Sequence, residues 1–473
     1  MNKEDIFYMS ASDMAEKIRA QELTSLEITE TIIERIEKIN PIINAYCTPT
    51  FELAREMAKN ADQAVKKGEK LGLLHGIPIS LKDETDLKGF RTTFGSKLFE
   101  TNISHKDDII VERLKKAGVV ILGKTNLPEL GWKGVSNNLI FRETKNPWNL
   151  DRTSGGSSGG AAAAVASGLS PLAIGSDGGG SIRIPSSFCG VYGLKPTFGR
   201  VPHNISKLMG SLSTLIHKGP ITRYVKDSAL MLDAIVGEDS SDRYSIPKPN
   251  YSYLEELNKR PKRLRIGYSL DLGFAKAVEP EIEKMVLNAV QKFEKLDWVV
   301  NKSRIRIKNP ESAKWVFWMV GYAYALGPFL KEWENNLDPE LVKLAKEGFK
   351  FTVKDIKLAE VQRESVYESI CRHFKDFDIL VTPTVACTAF ELGKDFPDLI
   401  NGIKTNRQDW ISFTYPFNFS GHPTATVPCG FSKEGLPIGM QIIGNKYDEL
   451  SVLQVSKAFE DIQPWQEKRP KFN

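Results

Sequence analysis

The chain has 473 residues, 41% of them hydrophobic and 26% charged, with a formal net charge of +5 at pH 7. This composition is ordinary for a globular protein, and so small a positive surplus does not indicate a nucleic-acid partner. The longest uncharged apolar segment, 315–330, contains two glycines and is shorter than the ~20 residues of a membrane-spanning helix, so no membrane association is expected.

The cysteines predict a reduced, metal-free protein. They are odd in number and scattered, without CxxC or Cys/His ligand spacing, so free thiols in a cytoplasmic protein with no metal and no cofactor are expected. The start of the chain, MNKEDIFYMSASDM, has no apolar core and does not resemble a signal peptide. The cysteines are Cys47, Cys189, Cys371, Cys387 and Cys429.

The first elements are helices followed by a strand. Apolar residues at helical spacing predict two helices within 10–39 and another over 51–70. The octet GIPISLKD at 76–83 alternates apolar and polar residues, which predicts a strand with Ser80 and Lys82 on one face. A lysine in such a strand usually faces water at an edge, so the residues alone leave the role of Lys82 open.

The next octet, GVVILGKT at 118–125, matches the letters of a phosphate-binding P-loop. That motif needs a loop between its glycines, with amides turned toward phosphate. Val119–Leu122 is instead a continuous apolar run that predicts a buried strand, which Gly123 and Lys124 end. A helix over 108–116 precedes it.

Two glycine-rich turns follow, each carrying a serine. Ser157 lies in GGSSGG, ahead of an alanine-rich helix over 161–166 that Gly168 caps. An apolar run at 172–174 predicts a strand, and three more glycines then lead to Ser181. Glycines let backbone approach a ligand closely. Chemistry is therefore expected where Ser157 and Ser181 converge.

The remaining chain alternates strands with helices, which favours an α/β layer fold. The segment 315–330 is interpreted as a buried helix or a pocket wall. The other predicted elements are a turn at 219–221, a helix over 225–237, a surface connection over 239–263, a strand over 263–268, an amphipathic helix over 279–295, a strand ending at 380–383 and a closing helix over 450–462.

Several motifs together resemble the amidase signature family of serine amide hydrolases. They are Gly155–Gly160, Gly179–Arg183, Phe188–Gly190 and Gly193–Pro196. The resemblance implies one large α/β domain over 1–473, with a large mixed β-sheet sandwiched between helices. Within it we expect a signature core over about 76–237, a variable substrate-pocket region over about 238–377, and a C-terminal family segment over 378–462. In that last segment 418–423 and 435–441 match the family's C-terminal strands.

The resemblance also implies a catalytic set of three side chains. Ser181 would be the nucleophile, Ser157 a relay preceded by a cis peptide bond, and Lys82 the general base. An amide carbon is a poor electrophile, so attack needs an activated hydroxyl, and burial would keep the lysine neutral. The backbone amides expected to form the oxyanion hole are those of Gly178, Gly179, Gly180 and Ser181.

Other polar residues near these motifs are assigned supporting roles. Asp177 and Arg183 are expected to brace the glycine turn, and Ser158 to be a hydrogen-bond partner. His75 and His422 follow no nucleophile motif and are interpreted as structural. Cys189 is the alternative nucleophile, but its apolar surroundings predict a packed thiol.

The sequence identifies only part of the substrate pocket. Family members line the acyl pocket near the positions of Gly131 and Trp132, which are the candidate substrate-binding residues. A small-molecule amide is the expected partner. The aromatic residues of the middle region either line the pocket or pack the core, and both alternatives stay open for Trp315, Trp318, Tyr322 and Tyr324.

Three functions remain to be compared. The preferred one is a stand-alone hydrolase of an apolar amide, with homodimerisation open. The second is the glutaminase component of a tRNA-dependent amidotransferase, which usually has Gln where this chain has Ile184 and an acid near 411–415, where this chain has none. The third is a binding protein with a decayed site, against which the intact Lys82, Ser157 and Ser181 argue.

Overall fold

An 11-stranded mixed sheet runs through the middle of the protein, in the order β1-β3-β2-β6-β8-β7-β14-β15-β11-β9-β10. The computed structural model describes residues 2–203 and 214–472. Two short antiparallel pairs, β4–β5 and β12–β13, lie apart from the sheet. The strands are β1 Tyr46–Pro49, β2 Pro78–Lys82, β3 Val120–Thr125, β4 Lys145–Asn146, β5 Asn149–Thr153, β6 Leu172–Asp177, β7 Tyr192–Lys195, β8 His217–Thr222, β9 Arg265–Tyr268, β10 Val299–Lys302, β11 Ile379–Pro383, β12 Leu399–Ile400, β13 Ile403–Lys404, β14 Thr424–Phe431 and β15 Pro437–Gly444.

Helices surround the sheet. Those of the described residues are α1 Lys3–Tyr8, α2 Ala11–Arg19, α3 Ser25–Ile43, α4 Phe51–Lys66, α5 Ile109–Lys116, α6 Gly159–Ala166, α7 Arg183–Cys189, α8 Val225–Ile235, α9 Tyr253–Glu256, α10 Pro280–Gln291, α11 Glu311–Trp333, α12 Pro339–Gly348, α13 Val353–Asp376, α14 Pro416–Ser420 and α15 Glu449–Ile462. The helices predicted before residue 120, and those near 161–166, 225–237, 279–295 and 450–462, are confirmed to within a few residues.

The sheet is covered on both faces. Every residue of β2, β3, β6, β8, β11 and β15 is buried. Strands buried on both faces usually read as continuous apolar runs, and β2 departs from that pattern. Lys82 is buried because β2 lies between β3 and β6 and not at an edge of the sheet. A single hydrophobic cluster joins N-terminal helices to C-terminal strands, so the predicted α/β fold with one large domain is confirmed.

Strand β3 extends further than its apolar run. The prediction that Gly123 and Lys124 end the strand is wrong, because β3 continues to Thr125 and pairs with β2 as far as Lys82. Lys124 remains buried there because its Nζ pairs with Asp83 Oδ1 at 3.2 Å. The segment is a strand and not a P-loop, as predicted.

Two further predictions of local structure are wrong. The turn at 219–221 lies inside β8, where a Cβ on Gly219 would stand 2.1 Å from the Leu194 carbonyl oxygen. Glycine is needed there for the close approach of β7, and not for a turn. The segment 418–423 is not a strand: α14 ends at Ser420 and β14 begins at Thr424. The other family match, 435–441, lies mostly in β15 as predicted.

Candidate active site

The ends of two neighbouring parallel strands bring the predicted residues together. Lys82 is the last residue of β2, and β6 ends at Asp177, just before the glycine turn and Ser181. β2 and β6 pair in parallel, so their carboxyl ends meet at one edge of the sheet. Ser157 stands two residues before α6, which packs against both strands.

Lys82 points into the interior and contacts two hydroxyls. Its side chain is fully buried, and its Nζ lies 2.6 Å from Ser157 Oγ and 2.7 Å from Ser176 Oγ. Burial lowers the pKa of Lys82 to about 8, although the nearby Glu84 carboxylate opposes that shift. About half of the amine is therefore neutral, and able to act as a base, when the pH is near that pKa.

Ser157 follows a cis peptide bond, as the family resemblance implied. The next amide, that of Ser158, donates to the Ser181 carbonyl oxygen at 3.1 Å and so ties the two serine segments together. The Ser158 hydroxyl accepts from the Ser176 amide at 3.3 Å, which confirms its supporting place. A Cβ on Gly131 would lie 3.4 Å from Ser157 Oγ, so this candidate pocket residue faces the serine directly.

A carboxylate holds the glycine turn in shape. Asp177 Oδ1 accepts from the Gly180 amide at 2.7 Å, and Arg183 Nε donates to Asp177 Oδ2 at 2.9 Å. Burial disfavours the charge on Asp177, but the Arg183 guanidinium holds its pKa well below the usual range. The predicted brace is confirmed. The brace also removes Gly180 from the candidate oxyanion donors, because its amide already donates to the Asp177 carboxylate.

The remaining candidate donors have no such partner. Within 2–203 and 214–472, the amides of Gly178, Gly179 and Ser181 have no hydrogen-bond acceptor, and Ser181 is 8% exposed. Gly180 has φ +126°, and a Cβ there would stand 2.6 Å from Thr414 Oγ1. Only glycine meets both conditions, so the turn can present backbone beside the serine.

Two charged residues of the site were not predicted. Glu84 Oε2 lies 3.3 Å from Lys82 Nζ, and its Oε1 lies 2.9 Å from Lys218 Nζ in β8. Burial alone would raise the pKa of Glu84, but the two lysines lower it well below its usual range. The acidic pair directly after the Lys82 strand was the available signal for Glu84. Nothing near Lys218 in the sequence pointed to the site.

This arrangement predicts opposite pH shifts for two variants. Glu84 favours the charged form of Lys82 and Lys218 disfavours it. If neutral Lys82 is the base, activity rises with pH through its pKa of about 8. The rising limb of kcat/KM should therefore move to lower pH in Glu84→Gln and to higher pH in Lys218→Met. Full pH–rate profiles on one amide measure this, and two shifts in the same direction would contradict it.

Helix α11 forms a wall beside the turn. Trp318 Nε1 donates to the Trp132 carbonyl oxygen and the Tyr322 hydroxyl donates to the Leu130 carbonyl oxygen, both at 2.9 Å. A Cβ on Gly178 would lie 3.2 Å from the Trp318 ring. Trp318 thus joins the glycine turn to the segment 130–132, which carries Gly131 and Trp132, and Tyr322 binds the same segment.

The other aromatic candidates lie differently. Tyr324 is 61% exposed and belongs to neither the pocket nor the core, because it points outward from α11. Trp315 is half-buried against the core. The Trp132 ring is covered by the Arg407 guanidinium at 4.7 Å, and its Nε1 donates to Asp338 Oδ2 at 3.2 Å.

The alternative nucleophile and the histidines lie in structural environments. Burial raises the pKa of the Cys189 thiol far above its usual range, so the thiolate is not available. His75 Nε2 is 2.9 Å from the Ala61 carbonyl oxygen. Burial lowers the pKa of His422 to about 3, and its ring stacks on Phe374.

Within the described residues, no group of three His, Cys, Asp or Glu side chains is arranged to hold a metal ion. The helices in the same part of the chain include none with the length and apolarity to cross a bilayer. The five cysteines are unpaired.

The model of the Amidase family matches residues 27–453, and the chain belongs to that family, whose members carry the amidase signature.

Individual relatives span nearly the whole chain. An acylamidase of Rhodococcus erythropolis is 39% identical over 99% of this chain and 98% of its own length. A component of the glutamyl-tRNA(Gln) amidotransferase of Sulfurihydrogenibium sp. is 36% identical over 98% of this chain and 99% of its own. The solved structure of a bacterial aryl acylamidase superposes with a TM-score of 0.91 at 31% identity, covering 97% of each chain.

Proposed function

We propose that this amide hydrolase of the amidase family works through an acyl-enzyme on Ser181, with Ser157 relaying protons to Lys82. The observation that carries the proposal is the 2.6 Å contact of the fully buried Lys82 Nζ with Ser157 Oγ. A buried amine with a lowered pKa beside a hydroxyl is the arrangement that general-base activation of a serine requires.

The proposed reaction has two halves. Ser181 Oγ attacks the amide carbon as its proton passes to Ser157, whose own proton moves to Lys82. The tetrahedral oxyanion is stabilised by the amides of Gly178, Gly179 and Ser181, at about 2.7–4 kcal/mol for each donor. The proton then returns through Ser157 to the leaving amine. Water, activated by the same relay, releases the acid from Ser181.

We propose an acyl pocket of largely apolar character. Ile184 is 1% exposed, and its side chain lies next to the positions that a Cβ on Gly155 or Gly180 would occupy. Trp318 lies next to the positions that a Cβ on Gly178 or Gly179 of the same turn would occupy. The names of the acylamidase and aryl acylamidase relatives support an alkyl or aryl amide as the small-molecule substrate.

The amidotransferase relative raises the rival function. A substrate pocket suited to that function would have to pair both charges of a zwitterion such as glutamine. This chain places Ile184 after the signature arginine, and the buried segment 411–415 has no acid. We therefore propose activity of the single chain without partner subunits, tRNA, ATP or metal. The unpaired cysteines favour the cytoplasm as its compartment.

The test compares substrates on the purified chain in buffer containing EDTA. We expect kcat/KM for an aryl or alkyl amide to exceed that for glutamine by about tenfold or more, because burial of an apolar side chain contributes about 1.5–3 kcal/mol. A preference for glutamine, or activity only after partner subunits and tRNA are added, would support the amidotransferase function instead.

A further inference from the structure

A buried lysine that the proposed reaction does not use stands beside the glycine turn. Lys314 lies in the first turn of α11 and is 4% exposed. Its Nζ donates to Gln408 Oε1 and lies 5.0 Å from the centre of the Tyr415 ring and 5.4 Å from that of Trp318. In the described part of the chain, no carboxylate is close enough to form an ion pair with it.

Other buried lysines of the protein are better compensated. Lys82 and Lys218 both pair with Glu84, and Lys195 donates to two backbone carbonyl oxygens. An ammonium has three hydrogens to donate, and Lys314 places one of them on a described protein acceptor. A buried charge with unused donors is costly unless an anion completes it.

Lys314 lies beside one of the proposed oxyanion donors. A Cβ on Gly179 would lie 3.7 Å from Lys314 Cε and 4.0 Å from its Nζ. Gly179 is one of the candidate oxyanion donors and stands two residues before Ser181. Trp318, one helical turn after Lys314, contacts the same glycine position, and its Nε1 donates a hydrogen bond to the Trp132 carbonyl oxygen.

Gln408 supplies a second donor beside the lysine. It is 3% exposed, and its carbonyl oxygen is used by Lys314. Its Nε2 has no acceptor among the residues that the structure describes. One carboxylate could accept from Lys314 Nζ with one oxygen and from Gln408 Nε2 with the other.

Building on the proposed function, we propose that Lys314 is a specificity-determining residue that binds a carboxylate on the acyl part of the substrate. The preferred substrates are then amides of dicarboxylic acids whose second carboxyl group is free and which, unlike glutamine, carry no ammonium group, because the segment 411–415 has no acid to pair it. The carbon chain between the two groups is short and apolar, because Lys314 adjoins the turn that holds the reacting carbonyl.

The charge of Lys314 makes this preference depend on pH. Burial lowers its pKa to about 7; Glu311 on the same helix opposes that shift and Arg407, next to Gln408, adds to it. Tyr415 faces it from the residue before α14, and burial keeps that phenol neutral by raising its pKa. The ammonium is present below pH 7 and lost above it. Preference for a carboxylate substrate should therefore decline as pH rises through about 7.

The experiment uses matched anilides. Malonanilate, succinanilate and glutaranilate are compared with neutral analogues in which an isopropyl group replaces the carboxylate. At pH 6 we expect wild type to favour at least one carboxylate over its analogue. Lys314→Met should lower that ratio by about tenfold or more, since a hydrogen bond to a charged group is lost. Lys331→Met, which changes an exposed lysine of the same helix, is the matched control and should keep the ratio.

The outcomes separate the two proposals. No hydrolysis of any anilide by wild type would remove the proposed apolar amidase function. Hydrolysis with an unchanged ratio in Lys314→Met, or with every neutral analogue preferred, would overturn only the role of Lys314. If Lys314→Met does not fold, the wild-type ratio between pH 5.5 and 9 decides, because a ratio that does not vary with pH overturns the role of Lys314.

Discussion

Replacing Ser181 by alanine should lower kcat for amides by at least about 10⁴-fold while the fold is kept. The hydroxyl is the proposed bond-forming group, and no other nucleophile stands at the end of the glycine turn in the described residues. The side chain is small, and Ser181 contributes its carbonyl oxygen to the Ser158 amide whether or not the hydroxyl is present. The measurement is steady-state turnover of an aryl amide, with melting temperature as the check on folding.

The matched control is Cys189→Ala, which removes the rejected nucleophile and should retain turnover. A fluorophosphonate should label Ser181 in wild type and leave Ser181→Ala unmodified. Wild-type kcat in a folded Ser181→Ala protein, or a label on another peptide, would show that the nucleophile lies elsewhere.

Removing the base should be nearly as damaging. Lys82→Met keeps much of the side-chain volume but cannot accept a proton, and we expect kcat/KM for amides to fall by about 10²–10⁴-fold. Esters should lose less, because their leaving group needs less protonation. The comparison of a matched amide and ester in wild type and variant measures the difference, and equal losses on both would argue against a role in proton return.

The same pair of residues offers a test of the relay. Lys82 Nζ and Ser157 Oγ are in direct contact, so Ser157→Ala should have an effect close to that of Lys82→Met. The double variant should be little worse than either single one, because groups that act as a unit lose their function together. Losses that multiply would mean that the two residues act independently.

The sequence predicted the parts of the site that belong to short contiguous motifs. The glycine turns, the strand of Lys82 and the pairing of Asp177 with Arg183 each depend on neighbours in the chain. Glu84 and Lys218 are 134 residues apart and meet only because β8 inserts beside β6. Such a contact leaves no periodic signal in the sequence. The contact of Lys314, a residue of α11, with the glycine turn leaves none either.

Two of the errors in local structure have a common origin. The dipeptide Gly219-Pro220 is typical of a turn. The backbone of β7 nevertheless passes so close to Gly219 that only glycine fits at this position of β8. A lysine after an apolar run is typical of the end of a strand. Lys124 nevertheless stays in the buried strand, because Asp83 on the neighbouring segment compensates its charge. In both cases a tertiary contact overrides the local preference that the sequence displays.

The brace of the glycine turn has a consequence for biosynthesis. Besides Asp177, the Arg183 guanidinium donates to the Thr414 carbonyl oxygen, Asn418 Oδ1 and Gln441 Oε1, at 2.7–2.8 Å. A ribosome therefore completes the three proposed catalytic residues more than two hundred residues before it supplies the partners that hold the turn. The nascent chain should therefore have no hydrolase activity until the segment 414–441 has left the ribosome and packed against Arg183. Enzymatic activity then appears only after nearly the whole chain has been synthesised.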